Sequence, residues 1–309
     1  MLGSFDDAED LVQETLLRAW RGRASFENRS LVRTWLYRIA TNVCLSALER
    51  APRRVLPQDV APPVTAASDP REARNEPPWA PELPWLQPYP DSLLDAISPA
   101  DSGPEDVVAS RETIELAYLA ALQHLPARQR AILVLRDVLG WSAAEVAGML
   151  ELSVAATNSA HQRARSTLRA HLPSGRESWA PAAPRSQAEH VALREFMDAW
   201  EQSDARRLTS LLRDDARWAM PPAPLWFDGR AAVEMLFRLF PPSASGEFRT
   251  MATAANRQPA LAAYLRRPGD ELYRFAGVQV LRIENGAIAE VISFSETMCG
   301  HFELPPTLG

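Results

Sequence analysis

Three groups of side chains have types and spacings suited to chemistry. The first lies in residues 153–170, a stretch with three arginines and no acid. At helical spacing Ser159, Gln162 and Arg163 fall on one side, with Asn158 and Arg165 toward the flanks. Arg163 and Gln162 carry forked hydrogen-bonding groups that match base edges in the major groove, while Ser159 or Arg165 suits phosphate oxygens. The second group is Arg33, Trp35, Tyr37, Arg38 and Asn42. Arginines interleaved with aromatic rings suit single-stranded nucleic acid, because bases stack on rings while guanidinium groups meet phosphate. Ordinary packing plus a solvated surface explains the same pattern. The third group, Asp7, Asp10 and Glu14, shares one helix face and reads equally well as a solvated surface. Asp215 and His301 could serve as general bases, but nothing in their spacing marks them as a pair.

Composition narrows the field. The sequence has 309 residues, no lysine, and two cysteines, Cys44 and Cys299, far apart. That argues against a disulfide framework or a cysteine-rich metal site and fits a reducing cytoplasm, and no metal or cofactor is expected. No apolar run approaches membrane-helix length and the first residues are acidic, so no membrane association is expected. The net charge of −6 is unevenly distributed. Residues 1–54 carry nine arginines against seven acids, 55–108 two against ten, and 109–172 seven against five. A chain neutralising so few phosphates gains little from counterion release, so unaided DNA binding should be weak and need a partner.

The elements that would position these groups can be read in order. Ser4 with Asp7 makes a capping box opening a helix. Ala8, Leu11, Val12, Thr15, Leu16, Ala19 and Trp20 form its apolar stripe. After a loop at 26–30, a second helix spans about 31–50 with Val32, Leu36, Ile39, Ala40 and Val43 inward. Residues 52–108 hold 13 of the 26 prolines and most of the excess acid, which predicts an extended linker. Within it Trp79, Trp85, Leu86, Tyr89, Leu93 and Leu94 form an apolar island suited to docking. Residues 109–172 are helical. Pro126 opens a helix that Gly140 ends, Ser142 with Glu145 caps a short one, and after a turn at Glu151–Leu152 Ser153 caps a longer one. Short helix, turn, longer helix is the helix-turn-helix pattern. Its last helix should turn Val154, Thr157, His161, Ala164 and Leu168 inward. A generic helical hairpin with a basic face remains the plain alternative.

A second linker at 173–188 leads to a different segment, 189–309. Helices are expected around Phe196 and Trp200, around Leu208, Leu211 and Leu212, and over 231–240. Strands follow at 247–255, 260–265, 272–283 and 287–294, with Glu284-Asn285-Gly286 as a hairpin turn.

"DAEDLVQETLLRAWR", "SLVRTWLYRIATNVCLSALER" and "WSAAEVAGMLELSVAATNSAHQRARSTLRAHL", in this order, resemble regions 2 and 4 of the extracytoplasmic-function group of sigma-70 family transcription initiation factors. The resemblance covers about 1–52 and 109–172. It implies that Asp7, Asp10, Gln13 and Glu14 contact core RNA polymerase, whose clamp and flap regions receive such factors. It implies that Arg33, Trp35, Tyr37, Arg38 and Asn42 melt and read the minus-ten promoter element, a flipped base entering the 26–30 loop. The residues of the last helix then read the minus-thirty-five element. The acidic linker would thread the positively lined cleft of the polymerase. The family normally has a further helix before the position of Met1, and its lack should expose Leu11, Leu16 and Trp20. Glu151 stands where glycine is frequent, and Thr157 and His161 stand where aliphatic residues are expected, which should weaken region 4.

Segment 189–309 resembles the SnoaL-like, nuclear-transport-factor-type cone fold. The expected architecture is therefore multidomain: all-α region 2 and region 4 with its helix-turn-helix, followed by an α+β cone. A cone implies an apolar pocket for a small ligand, with Trp218, Met220, Trp226, Phe227, Tyr273 and Phe275 as candidate lining, although an ordinary packed core fits too. Two functions follow. One is a non-enzymatic promoter-specificity factor regulated by its C-terminal domain. The other is a cone-fold metabolite sensor or enzyme joined to a decayed sigma portion.

Overall fold

The computed structural model describes residues 1–26, 31–50, 52–69, 80–95, 115–172 and 187–309. The loop expected to receive a flipped base lies outside them beyond Phe26, as does Trp79. The chain forms two compact units, Met1–Arg54 with Asp101–Pro181, and Val55–Ala100 with Ala182–Gly309.

The first unit is helical. Helix α1 (Phe5–Gly22) opens on Ser4, whose Oγ accepts from the Asp7 amide at 3.2 Å. Its apolar stripe is wider than the surface it packs on. Thr15 and Ala19 are buried, while Val12, Leu16, Leu17 and Trp20 stay open, Trp20 at 66% exposure. Helix α2 (Val32–Leu48) buries Thr41 and Val43. Val32, expected inward, is exposed because it sits in the first turn, ahead of the packed stretch.

Helices α3 (Leu116–Leu122) and α4 (Ala127–Leu133) lead through a π-helical turn, Val134–Val138, to Gly140 at φ 68°. Helix α5 (Ala143–Leu150) and helix α6 (Val154–His171) complete the helix-turn-helix. Tyr118, Leu122, Leu125 and Leu133 pack with Ala164 and Leu168. Ile132, Leu135, Trp141 and Val146 pack with Ala160. Each fully buried leucine contributes about 2 kcal/mol. Val154 is exposed rather than inward, and Ala160 takes the place on the packed face. The two unexpected polar residues of that face are satisfied. Thr157 Oγ1 donates to the Ser153 carbonyl at 3.1 Å, and His161 Nε2 lies 2.7 Å from Asp137 Oδ1. The expected weakening is therefore largely offset.

The Ser142 cap is reciprocal. The Glu145 amide donates to Ser142 Oγ at 3.2 Å and the Ser142 amide to Glu145 Oε2 at 2.8 Å. Hydrogen bonds from Ser142, side chain first and backbone second, hold the Glu145 carboxyl below the ordinary carboxylate range. A depressed carboxylate contributes stability above its unfolded pKa and loses it as pH falls through the folded one. Ser142→Ala should destabilise α5 by about 1 kcal/mol at neutral pH. Hydrogen exchange of the α5 amides should show the difference from wild type shrinking as pH drops below 4.5, the ordinary carboxylate value.

The second unit is built on a sheet. Helices α7 (Gln187–Glu201) and α8 (Ala205–Ser210) precede β1 (Leu212–Ala219) and β2 (Trp226–Asp228). Helix α9 (Arg230–Leu239) follows, then β3 (Glu247–Ala255), β4 (Gln258–Arg266), β5 (Tyr273–Glu284), β6 (Ala287–Ser295) and β7 (Thr307–Leu308). The strand order is β2-β1-β6-β5-β4-β3, with β7 on β5. The sheet is mixed rather than wholly antiparallel, because β1 runs parallel to β6. Leu212, expected in a helix, begins β1. There Leu212, Ala216, Trp218 and Ala219 are buried, while Asp214, Asp215 and Arg217 are exposed. Asn285 and Gly286, at φ 52° and 80°, make the β5–β6 turn.

One sheet face carries Leu261, Leu281 and Val291 against Phe196, Trp200, Val233 and Phe237 of α7 and α9. The other carries Ala262, Tyr264 and Tyr273 with Met251 and Phe275. The described parts of 55–95 belong to this unit. Val64 exchanges two backbone hydrogen bonds with β2, accepting from the Asp228 amide and donating to the Trp226 carbonyl, both at 2.9 Å. Trp226 Nε1 donates to the Ala61 carbonyl at 2.9 Å. Tyr89 and Asn256 pair through both backbones and the Asn256 side chain, and the Arg257 amide donates to Asp91 at 2.8 Å. Leu56, Trp85 and Leu86 are buried. Much of the apolar island thus docks within this unit.

Candidate nucleic-acid interface

Helix α6 presents two unlike faces. Thr157, Ala160, Ala164 and Leu168 are buried, and the residues between them, Asn158, Ser159, Gln162, Arg163 and Arg165, are all exposed. The Ser153 cap fixes the start of this helix, its Oγ accepting from the Ala156 amide at 3.1 Å. Arg165 Nε stands 3.7 Å from Asp137 Oδ2, so its charge is partly compensated. Nothing on α6 itself neutralises Arg163.

On α2, Arg33, Arg38 and Asn42 are exposed, and Trp35 and Tyr37 are half-buried. Phe26 leans on Trp35 with ring centroids 5.0 Å apart, and the Arg33 guanidinium lies 5.6 Å from the Tyr37 ring. No local pattern indicates what two of these residues touch. Arg38 Nη2 pairs with Glu151 Oε1 at 3.1 Å, and Tyr37 meets Trp141 edge-on at 5.5 Å. Both partners flank α5. The helix-turn-helix therefore occupies part of the α2 face that carries the aromatic–arginine group.

Glu151 holds φ 56° and ψ 46°, the left-handed conformation that favours glycine. Glu151→Gly should stabilise the helix-turn-helix by about 1 kcal/mol, because the exposed pair with Arg38 that it removes contributes less. Chemical denaturation followed at Trp141 checks the sign.

On α1, Asp10 and Gln13 are exposed, Glu14 receives Arg18 Nε at 2.6 Å, and half-buried Asp7 pairs with Arg54. The face is acidic but not uniformly free.

The six candidate pocket residues are not brought together. Trp218 and Phe227 are packed into the helix-side core, with Met220 against it. Tyr273 and Phe275 lie in the cluster on the other face. Trp226 is tied to residue 61. Asp215 receives two hydrogen bonds from Arg213, which lower its pKa, and His301 Nε2 lies 2.6 Å from the Pro88 carbonyl, so each is committed elsewhere. Burial pushes the Cys299 thiol up to about 12, making it a poor nucleophile. Among the described residues no group of His, Cys, Asp or Glu is placed to hold a metal, and no helix is long and apolar enough to cross a membrane.

Known proteins match this arrangement segment by segment. Family models for Sigma-70 region 2, Sigma-70 region 4 and a SnoaL-like domain match residues 1–54, 115–168 and 193–291. The ECF RNA polymerase sigma factor SigG of Mycobacterium tuberculosis is 42% identical over 310 residues, covering 100% of this chain and 80% of that protein. SigW of Bacillus subtilis is 28% identical over 173 residues, 56% of this chain and 79% of its own length. The crystal structure of M. tuberculosis SigJ has the same fold, with a TM-score of 0.58 at 21% identity over 98% of this chain and 93% of that one. With a relative 42% identical across the whole of this chain and 80% of its own length, the chain belongs to the extracytoplasmic-function (ECF) RNA polymerase sigma factors.

Proposed function

We propose that this ECF sigma factor directs transcription initiation by bringing core RNA polymerase to promoters, with α2 melting and reading the minus-ten element and α6 reading the minus-thirty-five element. The observation that carries this reading is the division of α6, whose inward face buries Thr157, Ala160, Ala164 and Leu168 while its outward face is polar, basic and free of acids. Asp10, Gln13 and Glu14, with Asp7 at the edge, form the polymerase-contact face. Arg33, Trp35, Tyr37, Arg38 and Asn42 meet the opened strand. Since Tyr37 and Arg38 are engaged by Trp141 and Glu151, reading the minus-ten element requires the two helical blocks to separate. Polymerase, which supplies the missing charge, is the partner that can drive this.

The C-terminal domain regulates that use. It holds residues 55–69 and 80–95, part of the segment that links regions 2 and 4, through Val64, Tyr89 and Asp91. Polymerase engagement of the linker competes with this docking. The experiment is open-complex formation with core polymerase, scored by permanganate reactivity of unpaired thymines. Tyr37→Ala and Arg38→Ala should abolish melting while leaving polymerase binding intact, and unchanged melting would refute the role given to α2. Asn256→Ala, which removes the side-chain hold on Tyr89, should raise the yield of open complexes several-fold. An unchanged yield would refute linker capture as the regulatory step.

A further inference from the structure

Helix α1 leaves an apolar row open to solvent. Val12, Leu16 and Trp20 recur every four residues, and each is more than half exposed. Residues four apart share a helix face, and this one lies away from Thr15 and Ala19, which pack inward. Leu17, half exposed, widens the row. Beside it, Gln13, Leu16, Leu17, Trp20 and Trp35 border a groove of about 770 Å³. A contiguous exposed apolar patch marks an association surface.

Charge is segregated along the same helix. Asp6, Glu9 and Asp10 stand exposed before the row, and Arg21 and Arg23 stand exposed after it. Arg23, at φ −58° and ψ −31°, continues the helical backbone. Its guanidinium lies 3.9 Å from the Trp20 ring, which places it on the face of the row. The series Glu9, Val12, Leu16, Trp20, Arg23 is symmetric about Leu16. Val12 and Trp20 are each four residues from it, and the acid and the arginine each three residues further.

We propose that this face is a self-association surface, on which two copies of the chain pair α1 against α1, antiparallel, about a two-fold axis at Leu16. The axis sets Leu16 against the same residue of the other copy, Val12 against Trp20, and Glu9 against Arg23. An isologous contact needs one patch that is complementary to itself. Here the smaller Val12 meets the larger Trp20 at both ends, and each acid meets a guanidinium. A parallel pairing would set acid against acid and arginine against arginine, which like charges oppose. A uniformly basic or uniformly acidic partner would match only half of the helix. Antiparallel helices crossing at about 20° keep a row with this spacing in contact along its length. The contact covers Gln13 and crowds Asp10, so polymerase and the second copy compete for α1. That consequence rests on the polymerase-contact role proposed above, whereas the dimer does not.

The test is sedimentation velocity of the full chain, without polymerase or DNA, over about a hundredfold range of concentration. Wild type should pass from monomer to dimer. Leu16→Glu sets two carboxylates together at the axis and should raise the dimer Kd at least tenfold. Residue 16 is exposed, so the thermal midpoint of this variant should match that of the wild-type monomer, which separates lost pairing from lost folding. Glu9→Arg and Arg23→Glu should each weaken the dimer about fivefold, since the two-fold axis repeats every repulsion. The double variant should return to within about twofold of wild type, because the exchanged charges again face each other. A dimer that persists in Leu16→Glu, or a double reversal no tighter than the single ones, would overturn the proposal. So would a monomer at every concentration, and the groove would then belong to another partner.

Discussion

Arg163→Ala should lower the affinity of the reconstituted polymerase complex for its promoter at least tenfold, and relax discrimination at one base pair of the minus-thirty-five element. The size follows from what the side chain can offer. Arg163 is exposed on a helix without acids, so in the proposed promoter-reading role its guanidinium would meet DNA with no acid of its own helix beside it. A bidentate arginine–base contact contributes about 1–3 kcal/mol of discrimination, and each 1.4 kcal/mol is about tenfold. Arg165 provides the contrast. Its guanidinium already faces Asp137 at 3.7 Å, and its assigned role is to hold phosphate. Arg165→Ala should weaken binding to all sequences alike and reduce the slope of log affinity against log salt by about one. Fluorescence anisotropy on the promoter and on single-base variants, at two salt concentrations, separates the two effects. If both substitutions weakened every sequence equally, α6 would hold DNA without reading it.

What could be read from sequence was whatever depends on neighbours in the chain. Ser4, Ser142 and Ser153 cap the helices where their spacing to the following residues indicated, since a cap involves only the next three residues. Asn285 and Gly286 marked the hairpin for the same reason, because both need positive φ. The bounds expected for β3 are those observed. Strand β1 was missed because Arg213, Asp214, Asp215 and Arg217 break its apolar alternation, and only pairing with β6 and β2 reveals it.

Long-range contacts were not legible. Arg38 meets Glu151 across 113 residues, and neither residue type announces the other. Trp218, Tyr273 and Phe275 looked alike as pocket candidates, but sheet register sends the first to one face and the other two to the opposite one. A single shift of register would have exchanged them. The outward-facing residues of α6 were the easiest part of the candidate site to name, since a face of a helix is local. Their availability is not local, and neither is the engagement of α2 by the helix-turn-helix, which turns a list of contacts into a closed state.

Gly277→Ala should unfold the C-terminal sheet, lowering stability by about 3 kcal/mol or more. Gly277 sits where β5 carries an extra residue, Ala276, between its pairings with Ala263 and Tyr264 of β4, and its φ is 138°. An L side chain rarely adopts that backbone, and an added Cβ would collide with the carbonyl oxygen of Phe294 on β6. The obstacle is backbone within a paired strand, so it cannot swing aside as a flexible side chain would. Gly286→Ala is the control. Its φ of 80° is also positive, but the nearest atom to an added Cβ is Ala188 Cβ at 4.0 Å, an ordinary contact. That substitution should cost only about 1 kcal/mol, the conformational penalty alone. Thermal melting followed through the tryptophans of the second unit should place Gly277→Ala below Gly286→Ala by about 10 °C or more. The bulge lies in the sheet that carries Asn256, so its loss should also release the linker held at Tyr89. Equal melting points for the two variants would mean that β6 yields at Phe294, and the bulge would then be a consequence of the core beneath it rather than a constraint imposed by the strand.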